Sequence, residues 1–86
     1  MMTSDERRRI LMRTILEVLG NLSGYQQPQR ALFAAVRLAV YPAPTEGELR
    51  EVLARLENDS CVHRDDGSLD GVRWSITGIG RARLAD

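Results

Sequence analysis

The chain has 86 residues, of which 43% are hydrophobic and 28% charged, and its twelve basic and twelve acidic residues give a formal net charge of zero. A chain this short buries only about 60% of its unfolded surface, so residues 1–86 hold one domain built on a single core, and the composition excludes disordered, fibrous and membrane-spanning classes. All the basic residues are arginine. A protein that neutralises DNA phosphates usually carries a basic surplus, so any basic face here is offset by an acidic one.

One cysteine forms no internal disulfide, so the fold does not depend on an oxidising compartment. The start, residues 1–9, is charged and lacks an apolar stretch behind it, because Arg13, Glu17 and Asn21 interrupt the apolar residues that follow. Neither a signal peptide nor a membrane span is expected. Ser4 is placed to cap a first helix, with Asp5 and Glu6 favourable in its positive first turn. Ile10, Leu11, Thr14, Ile15, Val18, Leu19 and Leu22 recur at the spacing of one buried face, and Gly20 and Gly24 mark its end. Tyr25-Gln26-Gln27 reads as a brief edge strand. Pro28 suits the first turn of a second helix over 29–40, in which Leu32, Phe33, Ala35, Val36, Ala39 and Val40 point mostly inward.

The prolines of Tyr41-Pro42-Ala43-Pro44 break that helix. Thr45-Glu46-Gly47-Glu48 has the form of a capping box, opening a third helix with a narrow apolar stripe of Leu49, Val52, Leu53 and Leu56. Asn58-Asp59-Ser60 ends it. Cys61-Val62-His63-Arg64 and Val72-Arg73-Trp74-Ser75-Ile76 read as the strands of a hairpin, joined by a loop over 65–71 with two Asp-Gly-type turn signals. Thr77 then caps a short final helix. Trp74 and Tyr25 are expected to pack, with Trp74 the largest single contributor to the core.

Three helices, a long-looped hairpin wing and a short C-terminal helix make the α+β order of a winged helix-turn-helix domain. Leu53-x-x-Leu56-Glu57-Asn58-Asp59-Ser60-Cys61-Val62, followed by Trp74-Ser75-Ile76-Thr77-x-x-Gly80-Arg81, is similar to the "LxxLExxGLV … YxLTxxGR" ending of MarR- and PadR-like winged-helix regulators. Over nearly its full length the chain more closely resembles a group of small winged-helix proteins of Mu-like phages and prophages. The shared features are the charged start, the Ile-Leu-rich first helix, Gly24-Tyr25, the Pro-Thr opening of helix three and the Trp-x-x-Thr-x-x-Gly close. These positions are core, caps and turns. The broader superfamily implies DNA binding through helix three and the wing, and the phage group implies a role in a phage locus. Exclusive use of arginine, with abundant Ala and Leu, points to a GC-rich bacterial or phage genome, and with one cysteine and neither signal peptide nor membrane span expected, the chain reads as cytoplasmic in a bacterial host.

With the apolar stripe inward, Glu46, Gly47, Arg50, Glu51, Ala54, Arg55 and Asn58 of helix three face outward. Arg50 has the reach for a guanine edge, and Arg55 and Asn58 for a base or phosphate. Arg7, Arg8 and Arg9 form a run suited to gripping the DNA backbone. Glu46, Glu48, Glu51 and Glu57 on the same helix oppose this, and Asp65, Asp66 and Asp70 outnumber Arg64 and Arg73 in the hairpin, where phosphate-contacting wings supply cations. The leading reading is a small phage-type DNA-binding protein, a transcriptional regulator reading duplex DNA through these residues. The alternative is an adaptor that binds a phage or host protein through the acidic wing and helix three, without DNA. Arginines continuous across helices one and three favour the first, and arginines paired with glutamates favour the second.

No enzyme, cofactor or metal is expected. Cys61 and His63 share a strand face, but structural zinc needs four ligands, and His63 has no nucleophile partner. Gly78-Ile79-Gly80 imitates a dinucleotide fingerprint, yet Arg83 stands at its third glycine and too little chain follows for a βαβ unit. A two-fold homodimer is expected, with Ile10 and Met12 supplying its interface.

Overall fold

The computed structural model describes residues 3–21, 26–67, 69 and 71–85. Along them run α1 (Ser4–Asn21), β1 (Gln27–Pro28), α2 (Gln29–Ala39), α3 (Glu46–Asn58), β2 (Val62–Asp65), β3 (Arg73–Ile76) and α4 (Gly78–Ala85). The strands form one antiparallel sheet in the order β1-β3-β2. The architecture is α+β, in an element order compatible with a winged helix.

Helix α1 opens one residue earlier than its sequence suggests, because Thr3, not Ser4, supplies the cap: its Oγ1 accepts the Glu6 amide at 3.1 Å and its carbonyl accepts the Arg7 amide. Both hydroxyls suit the role; Thr3 is the one at the right spacing. Leu11, Ile15, Leu16 and Leu19 are fully buried, and α1 packs against α2, α3, α4 and β3. Leu16, outside the expected stripe, widens that buried face to meet elements on several sides. Ile10 lies on its edge at 39% exposure, whereas Met12 packs against the core and is no free interface residue. Helix α1 ends at Asn21, one residue after Gly20, as the glycines suggest, and at Gly20 a Cβ would stand 3.3 Å from the Leu84 side chain of α4. Leu22, Gly24 and Tyr25 lie outside the described residues.

Pro28 ends an edge strand and immediately precedes α2, two positions where its missing N–H is harmless. Leu32, Phe33, Val36 and Val40 reach the core, while Ala39 faces solvent. Trp74, on the central strand, is 4% exposed and donates its indole N–H to Gln29 Oε1 at 3.0 Å, so the largest core side chain buries no unmatched donor.

The two ends of α3 carry most of the local definition. At its start the Thr45 hydroxyl accepts the Glu48 amide and the Glu48 carboxylate accepts the Thr45 amide, both at 3.1 Å, a complete capping box. At its end the Ser60 amide bonds to Glu57 O and the Cys61 amide to Leu56 O, the paired pattern of a Schellman stop. That stop requires Ser60 to sit at φ 63, left-handed space that favours glycine. The chain then turns directly into β2. Thr77 closes the fold: its amide bonds to Cys61 O, its hydroxyl donates to Ser60 O, and Thr77 Oγ1 in turn accepts the Gly80 amide to cap α4. Gly80 approaches so closely that a Cβ there would overlap the Cys61 carbonyl oxygen and lie 2.8 Å from Ile76 Cγ1.

These two backbone constraints predict substitutions of opposite sign. Ser60→Gly is expected to stabilise by about 0.5–1 kcal/mol, since relief of about 1–2 kcal/mol of left-handed strain exceeds the flexibility glycine adds to the unfolded chain. Gly80→Ala is expected to destabilise by about 1–3 kcal/mol through overpacking. Urea midpoints at unchanged slope check both, and a stabilised Gly80→Ala would mean that α4 does not rest on Cys61.

Candidate functional site

The outward surface of α3 follows from the burial of Leu49, Val52, Leu53 and Leu56, each at most 5% exposed. Opposite them, Gly47, Glu51, Ala54 and Asn58 follow one another at helical spacing and form an exposed crest. Arg50 leans to one side of the crest and lines a groove with Gln29, Glu57, Arg64 and Trp74 against the hairpin. Arg55 leans to the other, where it lines an open concavity with Asn58, Glu51, Asp59 and Arg8 of α1. The sequence-based set is therefore split: Arg8, Arg55 and Asn58 come together, and Arg50 stands apart from them.

On the hairpin flank the cations are matched. Arg50 Nη2 lies 2.7 Å from Glu46 Oε1, and Arg64 Nε lies 3.5 Å from Glu57 Oε2 and 3.4 Å from Asp66 Oδ2. Asp65 is anchored, accepting the Gly67 amide on one oxygen and the Gln26 side-chain amide on the other, both at 2.9 Å. The Gly67 amide first, and then Gln26, hold the Asp65 carboxyl below its ordinary value, so the hairpin keeps this negative charge. Asp70 lies outside the described residues. With four glutamates against two arginines, α3 itself carries a net charge of −2.

On the α1 flank, Arg7 has a structural task. Its Nε lies 2.7 Å from Glu48 Oε2, and its Nη2 donates to Glu48 Oε1 at 3.2 Å and to Pro42 O at 2.9 Å. Only 20% of its side chain is exposed. Glu48 thus serves the capping box of α3 and a two-pronged bridge to α1 at once. The Arg7 hydrogen bond is the main reason that the Glu48 carboxyl lies below its ordinary value, with the Thr45 amide second. Arg8 makes only a loose contact with Asp5 at 3.8 Å. Arg9 and Arg55 are exposed and have no ion pair among the described residues. The capping role of Glu48 is visible in the sequence, but its tie to Arg7 is not, because the two residues stand 41 positions apart.

Cys61 is fully buried in the core and His63 is exposed on β2. No helix is long and apolar enough to cross a membrane among the described residues. No protein-family model, curated protein or solved structure matches the chain.

The Arg7–Glu48 bridge makes stability depend on acid. A carboxyl whose folded value is lowered contributes stability that is present above its unfolded value and lost as pH falls through the folded one. Glu48→Gln keeps the capping box, since glutamine also serves there, and removes only the charge. Wild type is expected to exceed this variant in urea midpoint at neutral pH, and the two midpoints are expected to converge below the ordinary carboxyl value of 4.5. A constant gap between pH 7 and 3 would assign the effect to packing instead.

Proposed function

We propose that the chain is a winged-helix module acting as a protein-binding adaptor, with the α3 crest and the acidic hairpin as its contact surface for a basic protein partner. The supporting observation is the state of Arg50. It is the one cation on the side of α3 that faces the hairpin, and Glu46 already neutralises it at 2.7 Å. An exposed pair of this kind holds by only about 0.3–0.5 kcal/mol, so a DNA base would open it easily. Opening it, however, leaves Glu46 uncompensated on a helix that already carries a net charge of −2, facing a phosphate backbone.

The crest points the same way. Gly47 and Ala54 offer no donor, and Glu51 repels phosphate. A flat, weakly acidic ridge suits close approach of a protein surface, where small residues admit a partner backbone, better than readout of base edges, which needs long donors at the centre of the helix. The order α1-β1-α2-α3-β2-β3-α4 supports the winged-helix assignment. The likeness of the 53–62 and 74–81 segments to winged-helix regulators and to small Mu-like phage proteins supports a phage locus in a bacterial cytoplasm.

The DNA-binding reading retains one observation of its own. Arg8, Arg55 and Asn58 line a single concavity, with Arg9 exposed on the same helix as Arg8. Carboxylates of Glu51 and Asp59 share that concavity, and Asp59 is 3.3 Å from Arg83. In this reading Arg8 and Arg9 touch the backbone while Arg55 and Asn58 reach bases, and Arg7 stays with Glu48.

A photo-crosslinking side chain at Ala54 is expected to give a discrete, nuclease-resistant protein adduct in the native cell. Replacing Asp65, Asp66 and Asp70 together with Asn is expected to abolish that adduct, and labelled random duplex DNA is expected to bind more weakly than about 10⁻⁴ M at physiological salt. Tighter DNA binding that strengthens further with the triple change, and weakens when Arg55 or Asn58 becomes Ala, would establish the DNA reading instead.

A further inference from the structure

The side chains left over by the α3 surface gather on α2. Arg30, Ala34, Arg37 and Leu38 are exposed and follow one another along one side of this helix, and Tyr41 lies just beyond its end. Leu38 is 91% exposed and Tyr41 93%, close to the exposure of an unfolded chain, although apolar groups of that size are the ones a fold of this length needs inside. Helix α2 carries two arginines and no acid. Arg30 has no ion pair among the described residues, and Arg37 is steadied by an Nε–H bond to Pro44 O at 3.2 Å. Between the arginines the surface dips over Phe33 and Ala34, with Glu46, already held by Arg50, on the rim.

We propose that this outer face of α2 docks an acidic segment of a partner protein, one that carries apolar side chains beside its carboxylates. Charge complementarity selects the sign of the occupant. Arg30 and Arg37 stand two helical turns apart, about 10.5 Å along the axis, and both lack an acidic neighbour on their own helix. The spacing suits two carboxylates of one segment, each accepting guanidinium hydrogen bonds, while Ala34 lets the segment approach closely between them. Leu38 and Tyr41 then meet its apolar residues. A nucleic acid would satisfy the arginines but leave Leu38 in water beside phosphates. A second copy paired about a two-fold axis would bring four arginines into one interface without a carboxylate from α2. Arg30, Arg37, Leu38 and Tyr41, which carry this face, lie outside the α3 crest and the hairpin, and Glu46 and Gln29 merely border both surfaces, so this docking face stands or falls independently of the adaptor reading.

Selection of displayed random dodecapeptides on the full chain, counter-selected on the Leu38→Ser/Tyr41→Ser variant, tests the occupant directly. All the altered side chains are exposed, and unchanged circular dichroism and urea midpoint confirm folding. The enriched peptides are expected to combine Asp or Glu with Leu, Phe or Trp. A synthetic peptide of that consensus is expected to bind roughly tenfold or more weakly to Arg30→Glu, a change that disturbs no ion pair, and likewise to Arg37→Glu. Absence of enrichment, a neutral or basic consensus, or binding indifferent to Arg30→Glu would overturn the proposal. So would displacement of the peptide by single-stranded or duplex DNA at lower concentration than by unlabelled peptide. Sedimentation showing a dimer that Leu38→Ser/Tyr41→Ser dissolves would overturn it as well, by assigning the face to a second copy.

Discussion

Helix α1 is the wall that the other three helices and the central strand share. It packs against α2, α3, α4 and β3, and a chain of this length has no second core to fall back on. Four apolar residues, Leu11, Ile15, Leu16 and Leu19, therefore do more than line one side of a bundle. Gly20 adds to this near the end of the helix, where a missing side chain lets Leu84 of α4 come close. At the other end Arg7 reaches across to Glu48 and Pro42. One helix thus places the start of α3 by a charged clamp and its length by apolar packing, and the direction of the α3 crest follows from both.

The charges show why neutrality is informative here. Arginine and carboxylate are matched locally within α1, within α3, and between α3 and the hairpin. Most of these pairs are exposed and add little to stability. Their effect lies in what they remove from the surface, which is unpaired positive charge on the hairpin side of α3. Among the described residues, the arginines without an ion pair are Arg30 and Arg37 on α2, Arg9 on α1 and Arg55 on the α1 side of α3. Net charge alone hides this segregation, since the acidic surplus of α3 and the basic surplus of α2 cancel.

Much of the local structure was legible because it rests on neighbours in sequence. The Thr45–Glu48 capping box, the apolar stripe of α3, the Thr77 cap and the burial of Trp74 follow from residue type and spacing, and all are present. The departures arise where distant residues decide. Gly20 marks the helix end as expected, but its second role as a contact point for α4 depends on residues far away in sequence. Ser4 and Thr3 are chemically alike, and only helix phase separates cap from first residue. Met12 resembles a free interface residue until the core closes over it. Arg7 looks like its neighbours Arg8 and Arg9, and nothing local distinguishes the one that faces Glu48. The division of Arg50 from Arg55 is of the same kind: both are outward on a helical wheel, but the hairpin on one side and α1 on the other give them different surroundings.

Ser60 shows how a departure from a familiar pattern is accommodated. The stop of α3 demands a left-handed residue at position 60, where the "LxxLExxGLV" pattern has glycine. Serine accepts the conformation at some cost, and the surroundings hold it there: its amide bonds to Glu57, its carbonyl takes the Thr77 hydroxyl at 2.6 Å, and the next residue, Cys61, is fully buried. The same few atoms also receive α4, through Gly80 against the Cys61 carbonyl. The end of α3, the start of β2 and the entry of α4 are therefore one packed junction. Such a junction fixes the angle between α3 and the hairpin, and the flank that holds Arg50, Glu57 and Arg64 inherits its shape from that angle. In the proposed adaptor reading, a partner on this flank would meet a preformed surface, and specificity would rest on the arrangement of charge rather than on rearrangement of the backbone.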